Sequence, residues 1–515
     1  MTLYPTNRDQ MAMIISRRSR VRRLAIDPHA HHRIAQESTV VASTIDGVTW
    51  LSTSRHSPAS RAAWIALFLG MALTQGAILN SDMAHELSLA TQILHGNTAD
   101  AWHHSHFPLL PSLALLPAAL VGEVLGRGLG TLAAALEFVV LGSAMVWMGV
   151  TWGALLTPGR TGAWRARLIF VAFVATPLWV YVAKVPMDVV IGTALCLLAM
   201  LAIERNQVAL GGAALGLVLL SRDQLIPVAL VGVGVMALRY IWLRQWRSAI
   251  VVIGPALTAL GAMALINNAR FGSPTNFGPG YQSSFGLNIK VLAELLFSFR
   301  SGLLFFMPLA IFGAFFLWRN LHPAHRPTVS VILAGALSIT IFLTAFLIHP
   351  NQNPDLLQQW IGWGGGCRFL IPAIPLVLFA MPPLRGRVVT SLAALAVAVG
   401  TFFSGSMLFV AYDAQERISP VAGNHPPSPF RQWELVPTVF HNTWDLVAHG
   451  AVHFHSSAYY LPLWQIEVAR LHGRVTLLAT VPATLLLLGV AGYLIRQLRE
   501  APDVPATAVA TEVVP

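Results

Sequence analysis

Carboxylates in this sequence lie at the borders of long apolar stretches, where a side chain can face both water and an apolar cavity. Asp82 and Glu86 follow one apolar stretch, and Asp188 directly precedes another. A carboxylate there could act as a general base on a hydroxyl group, and two could share a metal ion or shift each other's pKa. The alternative for both aspartates is structural, because an aspartate that caps a helix N-terminus contributes about 1 kcal/mol. Spacing leaves both interpretations open.

Arginines at two further borders are typical of an anion site. Arg222 follows the apolar run L-V-L-L-S, and Arg368 follows Trp363 and three glycines in the segment W-G-G-G-C-R. A guanidinium offers a fork of donors to a phosphate, and glycines let backbone N–H groups approach an anion. The alternatives are an Arg222 that extends its head group to water and a tight structural turn at 363–368.

Histidines crowd the loop that contains Asp82. They are His85, His95, His103, His104 and His106. Together with Asp82 and Glu86 they could surround a metal ion, although the H-E-x-x-H spacing of a zinc site is missing. Solvated histidines at an interface are the alternative. The sequence therefore does not identify a metal ion, and the only cofactor that we consider is a divalent cation.

The elements that must position these residues are membrane helices. The chain has 515 residues, of which 55% are hydrophobic and 11% charged, whereas soluble domains have roughly 25% charged residues. This composition excludes a typical soluble globule and predicts an all-α polytopic membrane protein with about 12 transmembrane helices and interfacial helices in its first outer loop. The predicted spans are 62–79, 129–156, 168–183, 189–203, 207–220, 225–238, 249–266, 301–318, 328–347, 370–384, 388–409 and 476–495.

Arginines indicate which side of the membrane each loop faces. Nine arginines precede residue 62 and none lies in 80–108, so the first span enters from the cytoplasm. The proline-containing segment 109–126 is ambiguous. If it lies along the interface, the later cytoplasmic segments contain 13 arginines in about 58 residues, against 10 cations in about 131 residues outside. We therefore predict an interfacial segment and two cytoplasmic termini. The net charge of +11 then anchors the cytoplasmic side, and no nucleic-acid partner is expected.

The predicted domain layout follows from these spans. Residues 1–61 form a cytoplasmic, Arg-rich, disordered segment rather than a cleaved signal peptide. The membrane module covers 62–410 and includes the outer loop 80–108. An outer region at 411–475, a last transmembrane helix at 476–500 and a disordered cytoplasmic tail at 501–515 complete the chain.

Seven short motifs occur in one order along the membrane module. They are Asp82 with A-x-x-x-L-H-G, H-F-P-L-L-P at 106–111, Asp188 after a Pro/aromatic helix, S-R-D at 221–223, R-F-G-S-P at 270–274, S-G-L-L-F-F-M-P at 301–308 and W-G-G-G-C-R-F-L-I-P at 363–372. In these motifs the chain resembles the GT-C superfamily of polytopic glycosyltransferases. This class uses polyprenyl-phosphate sugars and includes bacterial mannosyl- and arabinosyltransferases.

The resemblance implies an inverting transfer from a polyprenyl-phosphate-linked sugar at the outer face of the plasma membrane. Asp82 would be the base that deprotonates the acceptor, which is a glycan, a lipid or a protein. The lipid bilayer would hold the donor's isoprenoid tail. The remaining candidates would bind substrate, as cations at the phosphate, aromatic rings at the sugar, or carboxylates: Arg222, Arg368, Lys184, Arg300, Trp363, Tyr281, Asp188 and Glu86.

One departure from the superfamily and three rival functions bear on this reading. Many relatives have a second acidic residue directly after the first, whereas here Met83 follows Asp82 and the next carboxylate is Glu86. This makes a metal shared by two adjacent carboxylates unexpected.

A lipid-linked oligosaccharide ligase or polymerase is the nearest rival function. A secondary transporter and a non-catalytic scaffold are the others, and a transporter commonly shows two related halves, which this sequence lacks.

Overall fold

The computed structural model describes most of the membrane module. It covers residues 81–96, 109–156, 176–178, 182, 189–276, 283–285, 289–297, 302–322, 327–350, 370–381 and 386–409. All of them belong to the second of two compact units, Ala59–Pro515. The predicted spans 62–79 and 476–495, most of 168–183, and the regions 1–61 and 411–515 lie outside the described residues. The domain layout therefore stays a prediction.

The described residues are mostly helical. The helices are α1 (Ser81–Leu94), α2 (Leu109–Ala114), α3 (Leu116–Leu125), α4 (Arg127–Leu156), α5 (Val189–Glu204), α6 (Val208–Ser221), α7 (Ile226–Trp242), α8 (Trp246–Phe271), α9 (Ile289–Phe297), α10 (Leu303–Phe306), α11 (Pro308–Leu321), α12 (Val329–Leu347), α13 (Ala373–Phe379) and α14 (Arg387–Phe409). A 3₁₀ turn, Asp223–Leu225, joins α6 to α7.

Two short strands depart from the all-α prediction. β1 (Ser283–Phe285) and β2 (Ile348–Pro350) pair antiparallel, with Ser284 opposite His349. They belong to segments that leave α8 and α12, where extended backbone needs hydrogen-bond partners. The predicted outer loop 267–300 is thus partly ordered, since α8 continues to Phe271, five residues beyond the predicted span, and α9 lies within it.

The apolar runs that fall in the described part coincide with helices wholly or in part. Among the described residues, four helices are long and apolar enough to cross a membrane: Leu129–Gly153, Trp246–Phe271, Val329–Leu347 and Arg387–Ser404. The other apolar helices of the bundle, such as α5 and α6, have 10 to 17 residues, which is short of the roughly 20 needed to span. The structure thus shows an apolar helical bundle, and the count of about 12 spans stays a prediction.

Glycines allow α3 to fold back on α4. Gly126 has a φ of +101° and ends α3 directly before α4 begins. A Cβ on Gly130 would lie only 2.6 Å from the Cα of Gly122, so the two helices touch through their backbones. The ten residues of α3 rise about 15 Å, half the thickness of the hydrocarbon core. This length suits the predicted interfacial role, which stays a prediction.

Helices α6 and α8 run parallel. A Cβ on Gly212 would lie 2.9 Å from the Cα of Val252, and a Cβ on Gly216 would lie 3.0 Å from the carbonyl carbon of Pro255. The contacts therefore advance in the same direction along both helices. The helix between them in sequence, α7, runs the opposite way and contacts both. Alternating spans produce this arrangement.

Polar contacts define one end of the bundle, which we call the Glu204 end. The indole Nε1 of Trp152 near the end of α4 donates to Ser330 Oγ at 2.9 Å. Ser330, at the start of α12, donates in turn to Glu204 at the end of α5. Since α4 and α5 pack together and both finish there, they run parallel. The sequence predicts this, because it places the span 168–183 between them.

The opposite end, which we call the Arg222 end, is distinguished by its buried cations. Arg222 and Arg270 are only 9% and 6% exposed. Exposed arginines instead gather at the Glu204 end: Arg239, Arg244, Arg247, Arg319 and Arg387. Solvated cations thus occupy one end and enclosed cations the other, and an enclosed cation is the rarer, costlier arrangement.

Candidate functional site

The chain reverses between α6 and α7 in a way that turns Arg222 inward. Helix α6 ends at Ser221, whose hydroxyl donates to the Val218 carbonyl oxygen at 2.8 Å. Arg222 then adopts an extended backbone with φ −165° and ψ 136°, and its carbonyl accepts the Leu225 N–H at 2.9 Å. Pro227 lies in the first turn of α7, where its fixed φ suits a helix start. Local hydrogen bonds therefore fix the position of the Arg222 Cα.

The Arg222 side chain is enclosed and oriented by a neighbour. Its Nε donates to Gln224 Oε1 at 2.8 Å, a contact between two residues that are each 9% exposed. The predicted alternative, a head group extended to water, does not describe this conformation. The partner is a neutral amide, and this hydrogen bond orients the guanidinium. A buried cation of this kind favours an anion nearby.

A cleft lies beside this arginine at the Arg222 end. It has a volume of about 310 Å³, which includes its open mouth. Its lining residues come from the start of α5, the α6–α7 turn and the end of α12: Val189, Arg222, Gln224, Leu225, Ile341, Thr344 and Ala345. Three are polar and the others aliphatic. The lining therefore combines a cation and two neutral polar groups with an aliphatic wall, around an enclosed space of about one water molecule that opens to solvent.

Most other candidates from the sequence lie outside the described residues. These are Asp188, Lys184, Tyr281, Arg300, Trp363 and Arg368. Asp188 is the covalent neighbour of Val189, which lines the cleft. The roles of all six stay predictions.

Helix α1 buries a carboxylate. The helix begins at Ser81, which puts Asp82 in its first turn, and the Asp82 side chain is not among those described. Glu86 is fully buried, on the same face as Met83 and Ala90. The spacing of Leu87, Ala90, Ile93 and Leu94 predicts an apolar stripe along this helix, but Leu94 is 41% exposed. The buried face of α1 thus contains Glu86 rather than Leu94. A buried carboxylate is a candidate for function.

Histidines near α1 do not assemble a metal centre within the described part. His85 is exposed, whereas its neighbour Glu86 is buried. His95 Nε2 lies 3.1 Å from Glu123 Oε1 and links the end of α1 to α3. No group of three or more His, Cys, Asp or Glu side chains gathers among the described residues. The Asp82 side chain and the remaining histidines, His103, His104 and His106, are not among the described residues, so a divalent cation stays an open prediction.

Several polar residues were missed by the sequence reasoning. Gln224 and Thr344 line the cleft. Gln224 directly follows the S-R-D motif at 221–223, whereas no motif marks Thr344. Glu137 lies inside the candidate span Leu129–Gly153 and accepts a hydrogen bond from the Ala118 N–H in the first turn of α3. Its position within an apolar run was the available signal, because an ionisable residue there is rare.

Arg270 is a second buried cation, and unlike Arg222 it was not named as a site candidate. Its Cζ lies 4.7 Å from the centroid of the Phe271 ring, within cation–π range. The register of Gly216 against Pro255 places Arg270 about 13 Å beyond Arg222 along the bundle. Arg270 is therefore not part of the cleft. The signal was a lone arginine before the G-S-P turn that ends a long apolar helix.

Comparisons with known proteins give two similar solved structures. One is ArnT from Cupriavidus metallidurans bound to undecaprenyl phosphate, with 15% identity and a TM-score of 0.43 over 85% of this chain and 76% of that chain. The other is apo ArnT from the same organism, with 14% identity and a TM-score of 0.43 over 90% and 78%. No protein-family model and no curated protein matches the sequence. The GT-C resemblance itself rests on the sequence motifs.

Proposed function

We propose that this chain is an inverting glycosyltransferase that moves a sugar from a polyprenyl-phosphate donor to an acceptor at the outer face of the plasma membrane. The observation that carries the proposal is the cleft at the Arg222 end, where an enclosed guanidinium faces aliphatic walls. The ordered motifs shared with GT-C glycosyltransferases supply the reaction class.

A polyprenyl phosphate matches the cleft in both of its parts. Its phosphate neutralises the enclosed charge of Arg222 and accepts charge-assisted hydrogen bonds. Its first isoprenoid units contact Val189, Leu225 and Ile341, which removes apolar surface from water. The sugar, attached to the same phosphate, projects from the open mouth toward the acceptor.

The proposed reaction forms one bond and breaks another at the anomeric carbon. Asp82 removes the proton from the acceptor hydroxyl as the oxygen attacks the face opposite the phosphate, which inverts the configuration. The bond between the anomeric carbon and the phosphate oxygen breaks, and negative charge grows on the departing polyprenyl phosphate. Arg222 stabilises that charge, and Arg368, Lys184 and Arg300 are the further cations proposed for it.

The remaining candidates are proposed to hold the substrates. Asp188 and Glu86 accept hydrogen bonds from sugar or acceptor hydroxyls, since a carboxylate is a strong acceptor. Trp363 and Tyr281 stack on the sugar ring, with membrane anchoring as the alternative for these aromatic residues.

Donor turnover tests the proposal. Purified protein in nanodiscs is incubated with radiolabelled polyprenyl-phosphate sugars and with glycan, lipid and peptide acceptors, and consumed donor is measured. We expect the wild type to consume donor, Arg222→Ala to lose at least tenfold in rate, and Arg387→Gln, at the opposite end, to match the wild type. A ligase would instead consume a lipid-linked oligosaccharide, and a transporter would consume neither. Unchanged turnover by a folded Arg222→Ala protein would contradict the role of the cleft.

A further inference from the structure

The turn between α7 and α8 is unusually rich in arginine and tryptophan. Residues 239–247 read R-Y-I-W-L-R-Q-W-R, and we call them the Trp/Arg hairpin. Helix α7 ends at Trp242 and α8 begins at Trp246, so three residues connect the two helices. The hairpin lies at the Glu204 end, remote from the cleft, and the proposed reaction does not use it.

Backbone hydrogen bonds give the hairpin a fixed shape. The N–H groups of Leu243, Arg244 and Gln245 donate to the carbonyls of Arg239, Ile241 and Tyr240 at 2.9, 2.9 and 2.8 Å. Arg244 has a φ of +57°, the left-handed conformation that commonly ends a helix. The side chains around the turn are thus presented on an ordered frame.

The hairpin exposes both apolar rings and cations. Trp242 is 88% exposed, Trp246 59% and Leu243 48%. The three arginines are exposed as well. Three exposed apolar side chains within five residues are typical of an interaction site. Tryptophan beside arginine is typical of the layer where lipid head groups meet hydrocarbon.

No carboxylate near in sequence neutralises these cations. Asp223 and Glu294 are the acidic residues that flank the hairpin, and the 70 residues between them contain neither Asp nor Glu. Within the described part of the chain, Arg239, Arg244 and Arg247 also form no ion pair. The hairpin therefore presents three positive charges whose complement must come from outside this helix pair.

We infer that the Trp/Arg hairpin binds the head groups of anionic phospholipids in the leaflet at the Glu204 end. The tryptophans lie at the head-group level, and the arginines donate to lipid phosphates. Each arginine near an anionic surface strengthens association about fivefold, so three together give an effect on the order of 100-fold.

Lipid retention by the full-length chain tests this inference. The protein is purified in micelles that contain phosphatidylcholine and a minority of phosphatidylglycerol, and the lipid that stays bound is quantified at low and high salt. We expect phosphatidylglycerol to be enriched around the wild type, and the enrichment to fall with salt because surface charges are screened. The triple variant Arg239→Gln, Arg244→Gln, Arg247→Gln should lose most of it.

Two matched variants separate charge from folding. The triple Arg→Lys variant at the same positions keeps the charge and should retain at least half of the enrichment. Thermal midpoints in pure phosphatidylcholine show whether each variant folds, and the Gln and Lys variants should match there. Equal phosphatidylglycerol retention by the wild type and a folded triple Gln variant would overturn the inference. So would enrichment that does not depend on salt.

Discussion

Gln224 offers the sharpest test of how the cleft works, because it touches Arg222 without carrying charge. Gln224→Leu replaces the amide with an apolar side chain and removes the oxygen that accepts from Arg222 Nε at 2.8 Å. A hydrogen bond to a charged group contributes about 1.5 to 3 kcal/mol. If its role is to orient the guanidinium toward the donor phosphate, its loss should raise the KM for donor by about 10- to 150-fold.

Gln224→Glu is the informative partner of that variant. The new carboxylate would pair with Arg222 and neutralise the charge that the donor phosphate needs, since both are enclosed. We expect this variant to fold at least as stably as the wild type and to bind donor more weakly. Steady-state donor consumption, measured against donor concentration, gives KM and kcat for all three proteins, and thermal unfolding is followed in parallel. A folded Gln224→Leu protein with an unchanged KM would refute the orienting role.

Four further variants test the α3–α4 contact, the hydrogen bond to Glu204 and the proposed base. Gly130→Ala places a Cβ 2.6 Å from a backbone atom of α3 and should destabilise by about 1 to 3 kcal/mol, whereas Gly261→Ala, with nothing within 4 Å, should be neutral; thermal unfolding measures both. Ser330→Ala removes the hydroxyl that donates to Glu204 and should cost about 1 to 3 kcal/mol of folding free energy. An unchanged melting curve would show that this hydrogen bond does not stabilise the bundle. Asp82→Asn should fold and lose sugar transfer, and wild-type transfer rates would remove the proposed base.

Helices were the most predictable part of the fold, and their ends the least. Apolar runs must be helical in a bilayer, because the backbone has no other way to satisfy its hydrogen bonds there. The end of α8 was placed too early because Asn267 and Arg270 broke the apolar run, although both lie on buried positions of a continuing helix. The strand pair was missed because pairing between 283–285 and 348–350 depends on tertiary position, which local composition does not encode.

The orientation of side chains was harder to predict than their position at a helix border. Arg222 at the end of an apolar run fits both an exposed and an enclosed head group, and the choice depends on Gln224 and on packing against α12. Glu86 was named as a candidate, but the apolar stripe drawn through Leu94 gave no sign that a carboxylate would lie on the buried face of α1. In both cases, packing against other helices contributes to the burial, and local spacing does not encode that packing.

A density map of the protein with bound polyprenyl phosphate would test most directly whether the donor binds in the cleft beside Arg222. We predict phosphate density within hydrogen-bonding distance of the Arg222 guanidinium, with the isoprenoid chain along Val189, Leu225 and Ile341. Phosphate density at another part of the bundle, with the Arg222 cleft empty, would contradict it.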